Sequence, residues 1–183
     1  WTAFARGGLY MTGRLDAREE NDALIEEVLF GRETPYSAVT HVFQDETPYD
    51  PFFNMLRGSL YSPATLQKLY AHRKELDGVR KVDFYAAAEK AEGMLAAWTP
   101  VGVFEENCRL AMLGICDMMR AASDIVKVID TDALYNEAAR RQFEDGAFAK
   151  EALTKIKAAL AQAIASIQKY AKTHEVAIAK TGH

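Results

Sequence analysis

Cysteine, histidine and proline are all scarce in this chain, and each scarcity removes a class of function. Two cysteines, Cys108 and Cys116, cannot staple a small secreted scaffold. They lie on what reads as a single helix, where eight residues of separation is a rise of about 12 Å, too far for a bridge. The four histidines are His41, His72, His174 and His183, and none has a glutamate three residues before it. The Glu-x-x-His repeats of di-iron bundles are therefore missing. The sequence also lacks His-Glu-x-x-His, Cys-x-x-Cys, Gly-x-Ser-x-Gly and the glycine-rich loops that cradle phosphate. No run approaches the roughly 18 apolar residues that a bilayer crossing requires. Period-two alternation is absent, and no Asn-Gly or Asp-Gly turn separates apolar runs, so strands are not expected.

Basic charge is also in short supply. The 183 residues carry a net charge of -4, which disfavours a non-specific nucleic-acid binder. Acid concentrates early: residues 15–50 hold ten Asp and Glu against Arg18 and Arg32. A solvated helix face accounts for most such runs. The sharper reading is an acidic patch that meets a basic partner or the slightly basic C-terminal segment. Reduced thiols lean toward a cytoplasmic setting, and a mature secreted form is also compatible with the composition.

Alanine is what the chain has in abundance. Of thirty alanines, seven fall in residues 1–83 and twenty-three in 84–183, whereas four of five prolines lie between Pro35 and Pro63. Alanine favours helix at no side-chain entropy cost, and small seam residues let helix axes approach. The chain is therefore expected to be all-α. Long Ala-rich helices over about 83–174 should form an antiparallel bundle, flanked by shorter aromatic helices over about 16–78. Residues 1–15 read as an N-terminal arm and 16–183 as one helical domain.

Local signals place the elements. Asp16 is positioned to cap a helix from about residue 17 to Phe30, with Glu19, Glu20, Glu26 and Glu27 on the wet side, Ala17, Leu24, Ile25, Val28 and Leu29 on the dry side, and Gly31 as the stop. Thr34-Pro35, Thr47-Pro48 and Ser62-Pro63 share the grammar of a hydroxyl N-cap followed by proline, which predicts three helix starts. Asp83 should cap a helix to about Trp98. A second long helix, about Val103 to Ile129, has the seam Phe104, Cys108, Ala111, Ile115, Met119, Ala122, Val126 and Ile129. A third segment covers about 133–143. The last helix, about 147–174, alternates Leu153, Ile156, Leu160, Ala163, Ile167, Tyr170 and His174 at three- and four-residue steps.

Two groups of side chains are candidate sites. Cys108, Met112, Cys116 and Met119 fall within roughly 80° of arc on one helix. Soft thiolates and thioethers suit Cu(I) or a haem, although buried Cys and Met are more commonly packing residues. Tyr36, Phe43, Tyr49, Phe52 and Phe53 form an aromatic, proline-punctuated segment of the composition enriched at contact surfaces. His41, with Asp45 one turn on, is an oriented imidazole without a visible cleft. No cofactor is called for by any motif. These patterns point to a non-enzymatic helical bundle acting through a protein partner or as a homo-oligomer, with self-association through the Leu153–His174 stripe or capture of a partner by the aromatic segment. A small-ligand, haem or soft-metal bundle and a helical enzyme without a linear motif are the alternatives.

Overall fold

A computed structural model describes residues 18–43, 82–141 and 145–181, together with the isolated positions 67 and 71. Among these residues there are helices and turns but no strand: α1 (Arg18–Phe30), α2 (Tyr36–His41), α3 (Phe84–Ala97), α4 (Gly102–Asp130), α5 (Asp132–Arg140) and α6 (Gly146–Thr181). The N-terminal arm, the starts at Thr47-Pro48 and Ser62-Pro63, and His72 lie outside the described residues. None of the described helices is long and apolar enough to cross a membrane.

Helix α4 is the axis of the bundle. Its pairs with α3 run in opposite senses along the two chains: Tyr85 meets Asp124, Glu92 meets Arg120, and Trp98 meets Glu105. Pairs with α6 do the same, Thr173 meeting Asp117 and Ser166 meeting Asp124. Both neighbours are therefore antiparallel to α4. Alanine makes the close approach possible: Ala87, Ala88, Ala91, Ala121 and Ala122 are all buried in the core. The core also holds Leu95, Trp98, Met112, Cys116, Met118 and Met119, with Val39 and Val42 entering from the α2 side.

Burial from two sides explains where the expected α4 seam fails. Ala111 is exposed and Phe104 is 42% exposed, while Leu110, Met112, Cys116 and Ala121 are buried. A single stripe suits one neighbour, but α4 has one on each of two faces. Phe104 also sits in the first turn of α4, beside Phe30 at 5.7 Å between ring centroids.

The caps follow the expected chemistry with shifts. Asp83 Oδ1 accepts the Ala86 N–H at 3.0 Å, and Gly31 ends α1 with φ +68, a backbone that suits glycine. At α2, Pro35 itself is the N-cap and makes no side-chain cap bond. Thr34 Oγ1 instead accepts the Tyr36 N–H at 3.3 Å. Glu26 does most of the capping. Expected on the wet face of α1, it is buried, and its carboxylate accepts the Thr34 N–H at 2.5 Å and the Ser37 N–H at 2.9 Å. A carboxylate at a helix N-terminus satisfies orphan donors and meets the positive end of the dipole. Val28, assigned to the dry stripe, is 69% exposed instead. At the far end, α5 stops at Arg140, before the expected boundary, and α6 continues seven residues past His174 to Thr181.

Candidate functional site

Helix α4 buries three carboxylates, and each is engaged by donors from neighbouring elements. Near its N-terminus, Glu105 accepts from Arg32 Nη2 at 2.5 Å, Trp98 Nε1 at 3.1 Å and the Val101 N–H at 2.9 Å. Hydrogen bonding from Arg32 outweighs burial and holds the Glu105 carboxyl below the usual carboxylate range. Further along, Asp117 takes the Thr173 hydroxyl at 2.6 Å and lies 2.6 Å from Lys169 Nζ. Asp124, with no exposed surface, accepts from Tyr85 Oη at 2.5 Å, Ser166 Oγ at 2.7 Å and Lys127 Nζ at 3.0 Å. Burial works against its charge, but the bonds from Tyr85, Ser166 and Lys127 outweigh it and hold its pKa below the ordinary value. These groups are spent on one another, as in a structural network.

A different chemistry occupies the C-terminal part of α4 and the first half of α6. There a groove of about 450 Å³ opens between α4, α5 and α6. Its α4 wall is Ile125, Val128 and Ile129, and its α6 wall is Ile156, Leu160, Ala163, Ile164 and Ile167. Thr131, Asp132 and Tyr135 close one side at the start of α5. Only Thr131 separates α5 from α4, and α5 packs against both α4 and α6. Arg141, the residue after α5, lies over the Phe148 ring in the first turn of α6 at 4.4 Å.

The packing around this groove is inverted. Between α5 and the first half of α6, the buried residues are the small ones, Ala138, Ala149 and Ala152. Tyr135 is 52% exposed, Leu153 44%, Leu160 42% and Ile164 53%. Large apolar side chains are ordinarily the first to be buried, since each contributes about 1.5–3 kcal/mol when removed from water. Leu153 and Leu160, read from their spacing as positions for bundle packing or self-association, form an open stripe beyond the end of α4 at Asp130.

The other candidates fall elsewhere. Met112, Cys116 and Met119 are buried in the core, and Cys108 is half-buried against it. Tyr36 and Phe43 pack on that core as well, Tyr36 lying 5.3 Å from the Phe30 ring. Tyr49, Phe52 and Phe53 lie outside the described residues. His41 pairs with Asp22 of α1 rather than being defined by Asp45, which is also outside them. Among the described residues no three His, Cys, Asp or Glu side chains gather as a metal cage.

The chain matches no protein-family model, no curated protein and no solved structure. Any functional reading therefore rests on the groove and the core themselves.

Burial pushes the Cys116 thiol up to about 12, and Cys108 is raised for the same reason. A protonated thiol is a poor nucleophile. Iodoacetamide at neutral pH should leave Cys116 unlabelled in the folded protein and label it fully in urea, as read by peptide mass spectrometry. Rapid labelling of Cys116 in native protein would contradict this placement.

Proposed function

We propose that this chain is a non-enzymatic helical-bundle protein that works by protein–protein association, with the groove between α4, α5 and α6 as its contact face. The observation that carries the reading is the inverted packing: alanines inside the α5–α6 contact, and Tyr135, Leu153, Leu160 and Ile164 outside it. Exposed apolar side chains gathered along one groove mark a contact surface more often than scattered ones do. The buried carboxylates support the same reading, because Asp124, Asp117 and Glu105 are each engaged by donors from other parts of the chain, as scaffold residues are.

A second reading is a small apolar ligand in the same groove. Its volume of about 450 Å³ favours this, since ligand pockets span roughly 300–1,000 Å³.

Photo-crosslinking separates the two. With benzoylphenylalanine in place of Ile164, irradiation of cells expressing the chain should give a discrete protein adduct. Ala158, exposed on α6, provides the control position. Absence of any adduct specific to position 164, together with saturable uptake of a small apolar molecule, would replace the association reading with the ligand one.

A further inference from the structure

We infer that the partner seated on this groove is a second copy of the chain, the two α5–α6 hairpins pairing about a two-fold axis into a four-helix arrangement. The inference rests on the association reading above and names its partner.

The first ground is architectural. Helix α4 has α3 against it from Glu105, which meets Trp98, to Asp124, which meets Tyr85, and α6 against it at Asp117 and Asp124. Beyond Asp124 the α3 chain has ended, since it begins at Phe84. Among the described residues the antiparallel pair continues from there without a third helix, with α4 giving way to α5 at Thr131. Two helices cannot bury an apolar stripe on their common outer face. Two such hairpins can, because each supplies the pair of helices the other lacks.

The second ground is periodicity. Leu153 and Leu160 are seven apart and Ile164 follows one turn later, which is the spacing of a coiled-coil seam rather than of an isolated pocket. All three are exposed. A seam of this kind accepts another helix lying alongside it.

The third ground is charge, and it selects a second copy. On α6 the helical spacing sets Lys150 and Lys157 beside Leu153 and Leu160, three or four residues away on the outer flank. Neither lysine has an ion-pair partner among the described residues. On the α5 side, the groove is bordered by Asp132. One apolar groove thus has a cationic edge on α6 and an anionic residue on α5. A two-fold axis through the groove brings the α6 edge of each copy along the α5 edge of the other, so Lys157 meets Asp132 of the second copy twice over. Such self-complementarity is what an isologous interface requires. A wholly acidic partner would be opposed at Asp132, and a wholly basic one at Lys150 and Lys157.

The test is a charge exchange in the full chain. Light scattering during size exclusion at micromolar concentration should give about twice the 20.4 kDa of one chain. Lys157→Glu and Asp132→Lys should each shift the dissociation constant up at least tenfold, toward monomer. Mixing the two variants should restore the dimer, because both cross-pairs are then of opposite sign. Circular dichroism and melting of each variant distinguish lost pairing from lost folding. A wild-type monomer across this range, or single variants that stay monomeric on mixing, would overturn the inference. A crosslink from position 164 to a different protein would overturn it too, while leaving the association reading intact; no protein adduct at all would remove both.

Discussion

Replacing Glu105 with alanine is expected to destabilise the fold by about 3 kcal/mol, read as a shift of the urea midpoint. The carboxylate joins three parts of the chain that are distant in sequence: Arg32 after α1, Trp98 at the end of α3, and Val101 at the start of α4. Its loss leaves the indole N–H of the buried Trp98 without a partner. It also uncovers the first orphan N–H of α4, a role that no N-cap side chain fills, since Val101 has none to offer. Glu105→Gln keeps an acceptor for the indole and should lose less than half as much. Trp98 fluorescence should shift to the red before global unfolding in the alanine variant and not in the glutamine one. Equal losses in the two variants would show that the hydrogen bonds do not carry the effect.

Asp124→Ala is expected to lose a similar amount, about 3 kcal/mol, by a different route. Here a fully buried carboxylate ties all three long helices together through Tyr85 of α3 and Ser166 of α6. Lys127 spans the same point, bonding the carboxylate at 3.0 Å and lying 4.7 Å from the Tyr85 ring centroid. Asp124→Asn retains the shape but gives up charge-assisted bonds, for a loss of about 1 kcal/mol. The pH dependence has a definite sign. The folded-state pKa of Asp124 lies below its ordinary 3.8, and those of Glu105 and Glu92 lie below 4.5. Groups lowered on folding bind fewer protons in the native state, so their stabilisation is complete above the ordinary values. It is lost as the pH falls through the lowered ones. Melting temperature should therefore be flat near neutrality and fall below about pH 4.5, and Asp124→Asn should make that fall shallower. An acid limb of unchanged slope in Asp124→Asn would remove Asp124 from the account.

Much of this architecture was written in local chemistry. The surplus of alanine after Asp83 foretold closely packed long helices, and Asp83 and Gly31 act as the cap and stop that their residue types imply. The Asp124 network had a signal too. Asp117 and Asp124 are seven apart on an apolar helix, and Ser166 and Thr173 are seven apart on α6, so two matching polar rungs were visible. Glu26 was not legible in the same way. Its partners, the Thr34 and Ser37 backbone, become neighbours only when the turn after Gly31 folds α2 back toward α1. The spacing on α6 left bundle packing and self-association both open, because periodicity records that a face is apolar and not what lies against it. Leu153 and Leu160 have the spacing of core residues, and only the end of α4 at Asp130 decides that they are left outside.

The join at Thr131 divides the molecule by ease of opening. Its N–H reaches the carbonyls of Lys127 and Val128, and its hydroxyl bonds Val128 again, which closes the last turn of α4 before α5 begins at Asp132. On one side stands a three-helix core closed by bonded carboxylates. On the other stands a hairpin held by alanine contacts and the Arg141–Phe148 stack. Local unfolding free energy follows buried apolar contact. Amides of α5 and of the first half of α6 therefore exchange through small openings, and those of the α4 core only through the global one. The end of the molecule that carries the open apolar stripe is thus also the end least held by buried contacts.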